Sequence, residues 1–142
     1  LPEKEVGMDF YKRVAIVCRM VPAGRAATYG QIALLCEKPQ NSRQVGYALN
    51  RRITDELLAD ISDGGEISGI PAHRIMNHQG YLSGASAFEH QDMQKWHLED
   101  EGITVDFDVA KQKYRVNLKK FKWQPGIEDV GKIKELFKKK NC

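Results

Sequence analysis

Residues 70–75 read Ile70-Pro71-Ala72-His73-Arg74-Ile75. A Pro-x-His-Arg step between two isoleucines reads as a buried turn. The proline fixes φ and removes a donor, and residue 72 is held facing whatever cavity His73 and Arg74 line. A reactive side chain at that focus would make a reaction centre. Alanine stands there instead, and it can act as neither nucleophile, acid, base nor metal ligand. Taken alone, a histidine in a Pro-containing turn is more often a hydrogen-bonded structural residue than a catalyst. A Gly/Asp-rich stretch (63–69) precedes the turn, and Asn77-His78-Gln79-Gly80 follows it.

The totals bound what surrounds this turn. A chain of 142 residues sets one domain, 1–142, as the expectation. Its 42% hydrophobic and 29% charged residues are those of an ordinary globular protein. No apolar run is long enough to span a bilayer, and no signal-peptide pattern is present, so the expected place is the cytoplasm, nucleoid-associated if the source is prokaryotic. The cysteines Cys18, Cys36 and Cys142 are odd in number and form no CxxC pair, which argues against a disulfide framework or a zinc site. The first two read as core residues and the third as exposed. No cofactor or metal is expected. The net charge is a mild +3. Lys and Arg gather at Arg43, Arg51 and Arg52, over 111–122 and over 132–140. That pattern is compatible with nucleic-acid contact, although a solvated face is the commoner meaning of any one charge run.

The elements that must position the turn follow from periodicity and punctuation. After a polar lead over 1–7, apolar residues at Phe10, Val14, Val17, Cys18 and Val21 predict a helix over 8–20. Thr28 is the expected N-cap of a second helix, with Gln31 in capping-box position. Lys38-Pro39-Gln40-Asn41 breaks that helix. A third starts at Asn41 or Ser42 and is expected to reach about Arg52, with Val45, Ala48 and Leu49 on one face and Gly46 allowing a close approach. Two short helices joined by a tight turn, the second basic, form a helix-turn-helix pattern. Residues 53–69 read as a helical stub fraying into a loop. Residues 80–84 read as a glycine-bounded loop. A helix from Ser86 or Ala87 is expected to run to about Glu101 and stop at Gly102 in C′ position. Alternation over 103–108 and 114–118 predicts a hairpin, which the basic, aromatic run 119–123 continues. A last amphipathic helix spans 127–140.

Three separated blocks then converge: Gly24-Arg-Ala-Ala-Thr28-Tyr29-Gly30-Gln31-Ile32-Ala33, Pro39-Gln-Asn-Ser-Arg43-Gln-Val45-Gly46-Tyr-Ala48-Leu49, and the turn 70–75. In this order they resemble the DNA-binding domain of the O6-alkylguanine-DNA alkyltransferases, over roughly 9–102. In that family the turn is Pro-Cys-His-Arg, and its cysteine accepts the alkyl group. Here Ala72 stands at that position, and the chain begins almost at the first helix. Both departures point to the alkyltransferase-like proteins, which resemble the alkyltransferase domain, lack the acceptor cysteine and bind alkylated DNA without repairing it. Their usual residue at this position is tryptophan, so alanine departs from them too. The tail Val116-Asn-Leu-Lys-Lys-Phe-Lys-Trp123-Gln-Pro125 also looks like theirs.

The resemblance implies a mainly α fold with small β elements, a winged helix-turn-helix-like domain with its core over about 8–102 and a C-terminal hairpin and helix over 103–142. It implies that Arg43 enters the duplex from the minor groove and fills the gap left by an extruded base, which suits a planar cation better than lysine. Tyr29 would help rotate the nucleotide, Ala72 and Ile75 would offer backbone carbonyls to the base, Leu49 would pack on its face, and Ser83 would close the pocket. A hinge asparagine of the family falls on Arg52, with Asn50 nearby. His73 and Glu101 match a proton relay that without a thiol is left as scaffold, and Arg74 would be structural.

The expected function is therefore a non-enzymatic, monomeric damage sensor. It would bind O6-alkylguanine in double-stranded DNA, flip the base and flag it for nucleotide excision repair proteins, with no membrane partner. One rival is an alkyltransferase, a methylated-DNA–cysteine S-methyltransferase, whose cysteine was changed to alanine. Another is a helix-turn-helix regulator of undamaged DNA, usually a dimer on a palindromic site.

Overall fold

The first long helix carries the stripe that periodicity demands. Helix α1, Pro2–Met20, is interrupted at Gly7, whose φ of 70° and ψ of 179° are not helical. The stretch after Gly7 is the expected helix. Residues 2–6, in the stretch expected as a polar lead, are helical as well. Phe10, Val14, Val17 and Cys18 are buried as expected, and Tyr11, Ala15 and Ile16 join them. That broad burial follows from α1 touching three other helices. Each fully buried valine or isoleucine contributes about 1.5–3 kcal/mol over an exposed one. The computed structural model describes residues 2–49, 69–82 and 92–142.

Strand β1, Ala27–Thr28, leads straight into helix α2, Tyr29–Leu35. The capping box forms as the sequence predicts. The Thr28 hydroxyl accepts from the Gln31 backbone N–H at 3.1 Å, and Gln31 Oε1 accepts from the Thr28 N–H at 3.3 Å. Glu37 ends α2 at a φ of 65°, a left-handed cap that glycine more often fills. Helix α3, Ser42–Tyr47, follows, and a widened turn carries it on through Ala48 and Leu49. Val45 and Ala48 are fully buried, and Leu49 packs on the same cluster. An added Cβ at Gly46 would meet nothing within 4 Å among the described residues, so the expected close approach is not made by any of them. The continuation to Arg52 and the stub over 53–68 lie outside the described residues.

The Pro-x-His-Arg segment is a 3₁₀ turn, Ala72–Arg74, and runs into strand β2, Ile75–Met76. Strand β2 pairs in parallel with β1, Ala27 opposite Ile75 and Thr28 opposite Met76. The turn is therefore tied to the strand that opens the helix-turn-helix. Two-residue strands have no periodicity, and nothing in the sequence reading foresaw them.

Helix α4, Met93–Asp100, ends as predicted. Gly102 takes a φ of 87°, and its N–H and that of Ile103 return to the carbonyls of Glu99 and Leu98. Strands β3, Val105–Asp108, and β4, Lys113–Val116, form the expected antiparallel hairpin, with Val105 opposite Val116. Met76, Leu98, Ile103 and Val116 form a second apolar cluster beneath it. Gly80, with a φ of 86°, presses its α-carbon against the Val116 carbonyl, where a Cβ would collide. Its glycine serves this packing.

The run after β4 departs from expectation. It does not continue the hairpin but turns into helix α5, Leu118–Phe121, because the Asn117 side chain caps it by accepting from the Lys119 N–H at 3.1 Å. Helix α6, Ile127–Lys139, buries Ile133 and Phe137 in the same cluster as α1, α2 and α3. Cys142 is half-buried rather than exposed. Arg13 ties this end down, donating to the carbonyls of Cys36 and Cys142 at 3.0 Å each while its guanidinium lies 4.8 Å from the Phe137 ring centroid. The chain is thus mainly helical, with two small sheets among the described residues. No described helix is long and apolar enough to cross a membrane.

Candidate nucleic-acid interface

The 3₁₀ turn is held from below by one carboxylate. Glu101, at the end of α4, accepts from Arg74 Nε at 3.0 and 3.1 Å and from the second guanidinium nitrogen at 2.6 Å. His73 Nε2 stands 2.9 Å from the same carboxylate. The Gly24 N–H adds a longer contact at 3.4 Å. Arg74 also donates to the Val21 carbonyl at 2.7 Å, at the end of α1. One side chain therefore joins α4, the turn and the α1–β1 loop. Glu101 and its two partners are only 15–17% exposed.

The electrostatics follow from this packing. Burial alone would push the Glu101 carboxyl up, but the hydrogen bonds from Arg74 and His73 outweigh it and hold the pKa down at about 2. Burial lowers the His73 pKa, and its bond to Glu101 only partly opposes that. At neutral pH the imidazole is neutral, donating through Nε2–H to the carboxylate. His97 faces its ring at 5.3 Å between centroids.

A buried glutamine completes the frame, and the sequence reading missed it. Gln94 is 2% exposed. Its amide nitrogen donates to the carbonyls of His73 and Ile75 at 3.2 Å each. The available signal was spacing. Gln94 stands four residues before Leu98, on the face of α4 that turns inward.

The predicted site residues fall into three groups. His73, Arg74 and Glu101 are in direct contact, and Ala72 and the buried Ile75 flank them on the turn and on β2. Tyr29 opens α2, one residue beyond β1, and is half-buried against the main cluster. Arg43 is exposed on the second residue of α3, while Leu49 faces the core. Arg52 and Ser83 lie outside the described residues. Two surface hollows, of about 470 Å³ beside Arg13 and Cys142 and about 560 Å³ between Gln79 and Lys119, lie away from the turn. Among the described residues no group of three or more His, Cys, Asp or Glu could hold a metal ion.

Four similarities to known proteins bear on this arrangement. A sequence model of the DNA-binding domain of 6-O-methylguanine DNA methyltransferase matches residues 9–103. A DNA base-flipping protein of Vibrio parahaemolyticus is 34% identical, covering 82% of this chain and 98% of that one. Alkyltransferase-like protein 1 of Schizosaccharomyces pombe is 28% identical, covering 82% and 96%. The crystal structure of S. pombe Atl1 in complex with damaged DNA containing O6-carboxymethylguanine superposes with a TM-score of 0.64 at 29% identity, covering 84% of this chain and 99% of that one.

Proposed function

This chain belongs to the family of the 6-O-methylguanine DNA methyltransferase DNA-binding domain, and from that premise we propose that it recognises O6-alkylguanine in duplex DNA without repairing it. The observation that carries the reading is Ala72. It sits where the family's acceptor cysteine would be, on a turn whose bracing by Arg74, His73 and Glu101 is complete. The cysteines that the chain does have cannot substitute. Cys18 and Cys36 are fully buried, and burial pushes the Cys36 thiol up to about 12. Burial raises the Cys142 thiol as well. None supplies the thiolate that alkyl transfer requires.

Each residue has a physical task. The helix-turn-helix, α2 and α3, lies along the minor groove. Exposed Arg43 occupies the gap left by the extruded base, stacking as a planar cation and hydrogen-bonding the orphaned partner. Extrusion costs a few kcal/mol, and less for a damaged base whose pairing is already weak. An O6-alkyl group removes the N1 proton of guanine and disturbs its pair with cytosine, so the lesion selects itself. The carbonyls of Ala72 and Ile75 accept from the base. A carbonyl has two lone pairs, so Ile75 can serve Gln94 and the base together. The small Ala72 side chain leaves room for larger adducts. The bound complex then serves as the signal for nucleotide excision repair.

The test is a titration of two duplexes that differ in one guanine, normal or O6-methylated, at a stated salt concentration. The wild-type chain should prefer the methylated duplex, and Arg43→Ala should lose that preference. Equal binding of both duplexes by the wild type would overturn the reading in favour of a regulator of undamaged DNA.

A further inference from the structure

We propose that Arg25, Lys119, Lys120 and Lys122 form a second phosphate-contact surface, which grips the duplex backbone beside the helix-turn-helix. The proposal rests on the DNA-binding part of the reading above, not on its damage selectivity. Over residues 109–127 the chain has no Asp or Glu. Arg25, Lys119, Lys120 and Lys122 are all exposed, and none makes an ion pair with another described residue. They belong to two segments that the fold holds together. Arg25 donates to the Lys120 carbonyl at 3.1 Å. The Ala26 N–H donates to the Phe121 carbonyl at 2.9 Å, and the Trp123 N–H donates to the Ala26 carbonyl at 2.7 Å. Lys122 bridges Ala26 in parallel, which lengthens the β1 pairing by one neighbour.

That anchorage continues into the recognition unit. Gln31, the capping-box residue of α2, donates its side-chain amide to the Trp123 carbonyl at 2.7 Å. The basic segment is therefore fixed to the first turn of α2, which starts at Tyr29, three residues after Ala26. A helix-turn-helix that lies along the minor groove is flanked by the sugar-phosphate backbones that wall it, and contacts to these position a protein on the duplex. Four cations anchored beside the start of α2, with no acidic residue in their own segment, match a row of phosphates. Three of the four are lysines, point charges without the paired planar donors that read base edges, and the Arg25 guanidinium is already engaged with the Lys120 carbonyl. Their contribution is affinity without sequence preference.

The test uses the full chain with a triple variant, Lys119→Gln, Lys120→Gln and Lys122→Gln. All three side chains are exposed, and apart from the Lys120 ammonium lying 5.2 Å from the Phe121 ring centroid their structural contacts run through the backbone, so thermal melting should stay close to the wild type. Binding to the methylated and unmodified duplexes is measured by fluorescence anisotropy between about 50 and 200 mM salt. Each lost phosphate contact flattens the slope of log affinity against log salt by about 0.9, so the triple variant should be shallower by roughly 2–3. Affinity should fall by the same factor for both duplexes. An equal-charge control, Lys132→Gln, Lys134→Gln and Lys138→Gln on α6, should change the slope far less. An unchanged slope in the first variant, or an equal change in the control, would overturn the proposal. Were the wild type to bind both duplexes equally, the damage reading would fail while this slope comparison would still decide the phosphate surface.

Discussion

Replacing Glu101 by glutamine removes one charge from the point where α4, the 3₁₀ turn and the α1–β1 loop meet. Its size can be worked from the hydrogen bonds. In the folded chain the carboxyl titrates at about 2, against an ordinary 4.5. That difference of about 2.5 units, at 1.36 kcal/mol each, sets an upper figure of roughly 3 kcal/mol. Residual exposure and solvent screening bring the expectation to about 2–3 kcal/mol. Because the folded pKa is depressed, this stability is present above pH 4.5 and is lost as pH falls from there towards 2. Urea titrations at pH 7 should therefore show Glu101→Gln less stable by about 2–3 kcal/mol, or roughly 6–12 °C in melting temperature for a chain of this size. The gap should narrow in acid. His73 adds an acid sensitivity of the same sign, since burial depresses its pKa, but that begins just below 6.5 and leaves the neutral comparison clean. Stability within about 0.5 kcal/mol of wild type at pH 7 would refute the claim that this carboxylate braces the turn.

Gly80→Ala should cost more than about 2 kcal/mol in urea unfolding, because a φ of 86° is strained for alanine and its Cβ would strike the Val116 carbonyl. Gln94→Leu keeps the volume but leaves the carbonyls of His73 and Ile75 without their donor; stability should fall by about 1–3 kcal/mol. The same variant should weaken the preference for O6-methylguanine over the matching base without a 2-amino group, measured by competition, because the Ile75 carbonyl is no longer aimed. Ala72→Trp should lower affinity for bulky O6 adducts more than for O6-methylguanine, and unchanged affinity for both would remove the argument from pocket size.

The helix-turn-helix was legible in the sequence because its signals are local. Thr28 and Gln31 announce the start of α2, the Lys38-Pro39 break lies just past the left-handed Glu37 that ends it, and Gly102 marks the stop of α4 three-quarters of the way along the chain. Each is a backbone requirement met by one or two residues. The frame around the turn was legible only through resemblance. Glu101 lies 27 residues beyond Arg74, and no spacing rule brings a carboxylate from one helix end to a turn that far away. The pairing of β1 with β2 was illegible for a related reason: four residues carry no alternation, and their partners are set by the packing of both apolar clusters. The α5 turn was misread because alternation over 114–118 extrapolates smoothly into 119–123, whereas the Asn117 cap diverts the chain. Gln94 was passed over because a polar residue on a helix is taken as solvated until its two carbonyl partners are seen.

The central claim is that lesion binding and alkyl transfer are separated in this chain. The direct measurement is to isolate the complex of wild-type protein with an O6-methylguanine duplex after prolonged incubation, then determine the intact mass of the protein and the nucleosides of the DNA. The account predicts a stable complex, a protein of unchanged mass and O6-methylguanine recovered in full. A protein heavier by one methyl group, with guanine restored in the duplex, would contradict it.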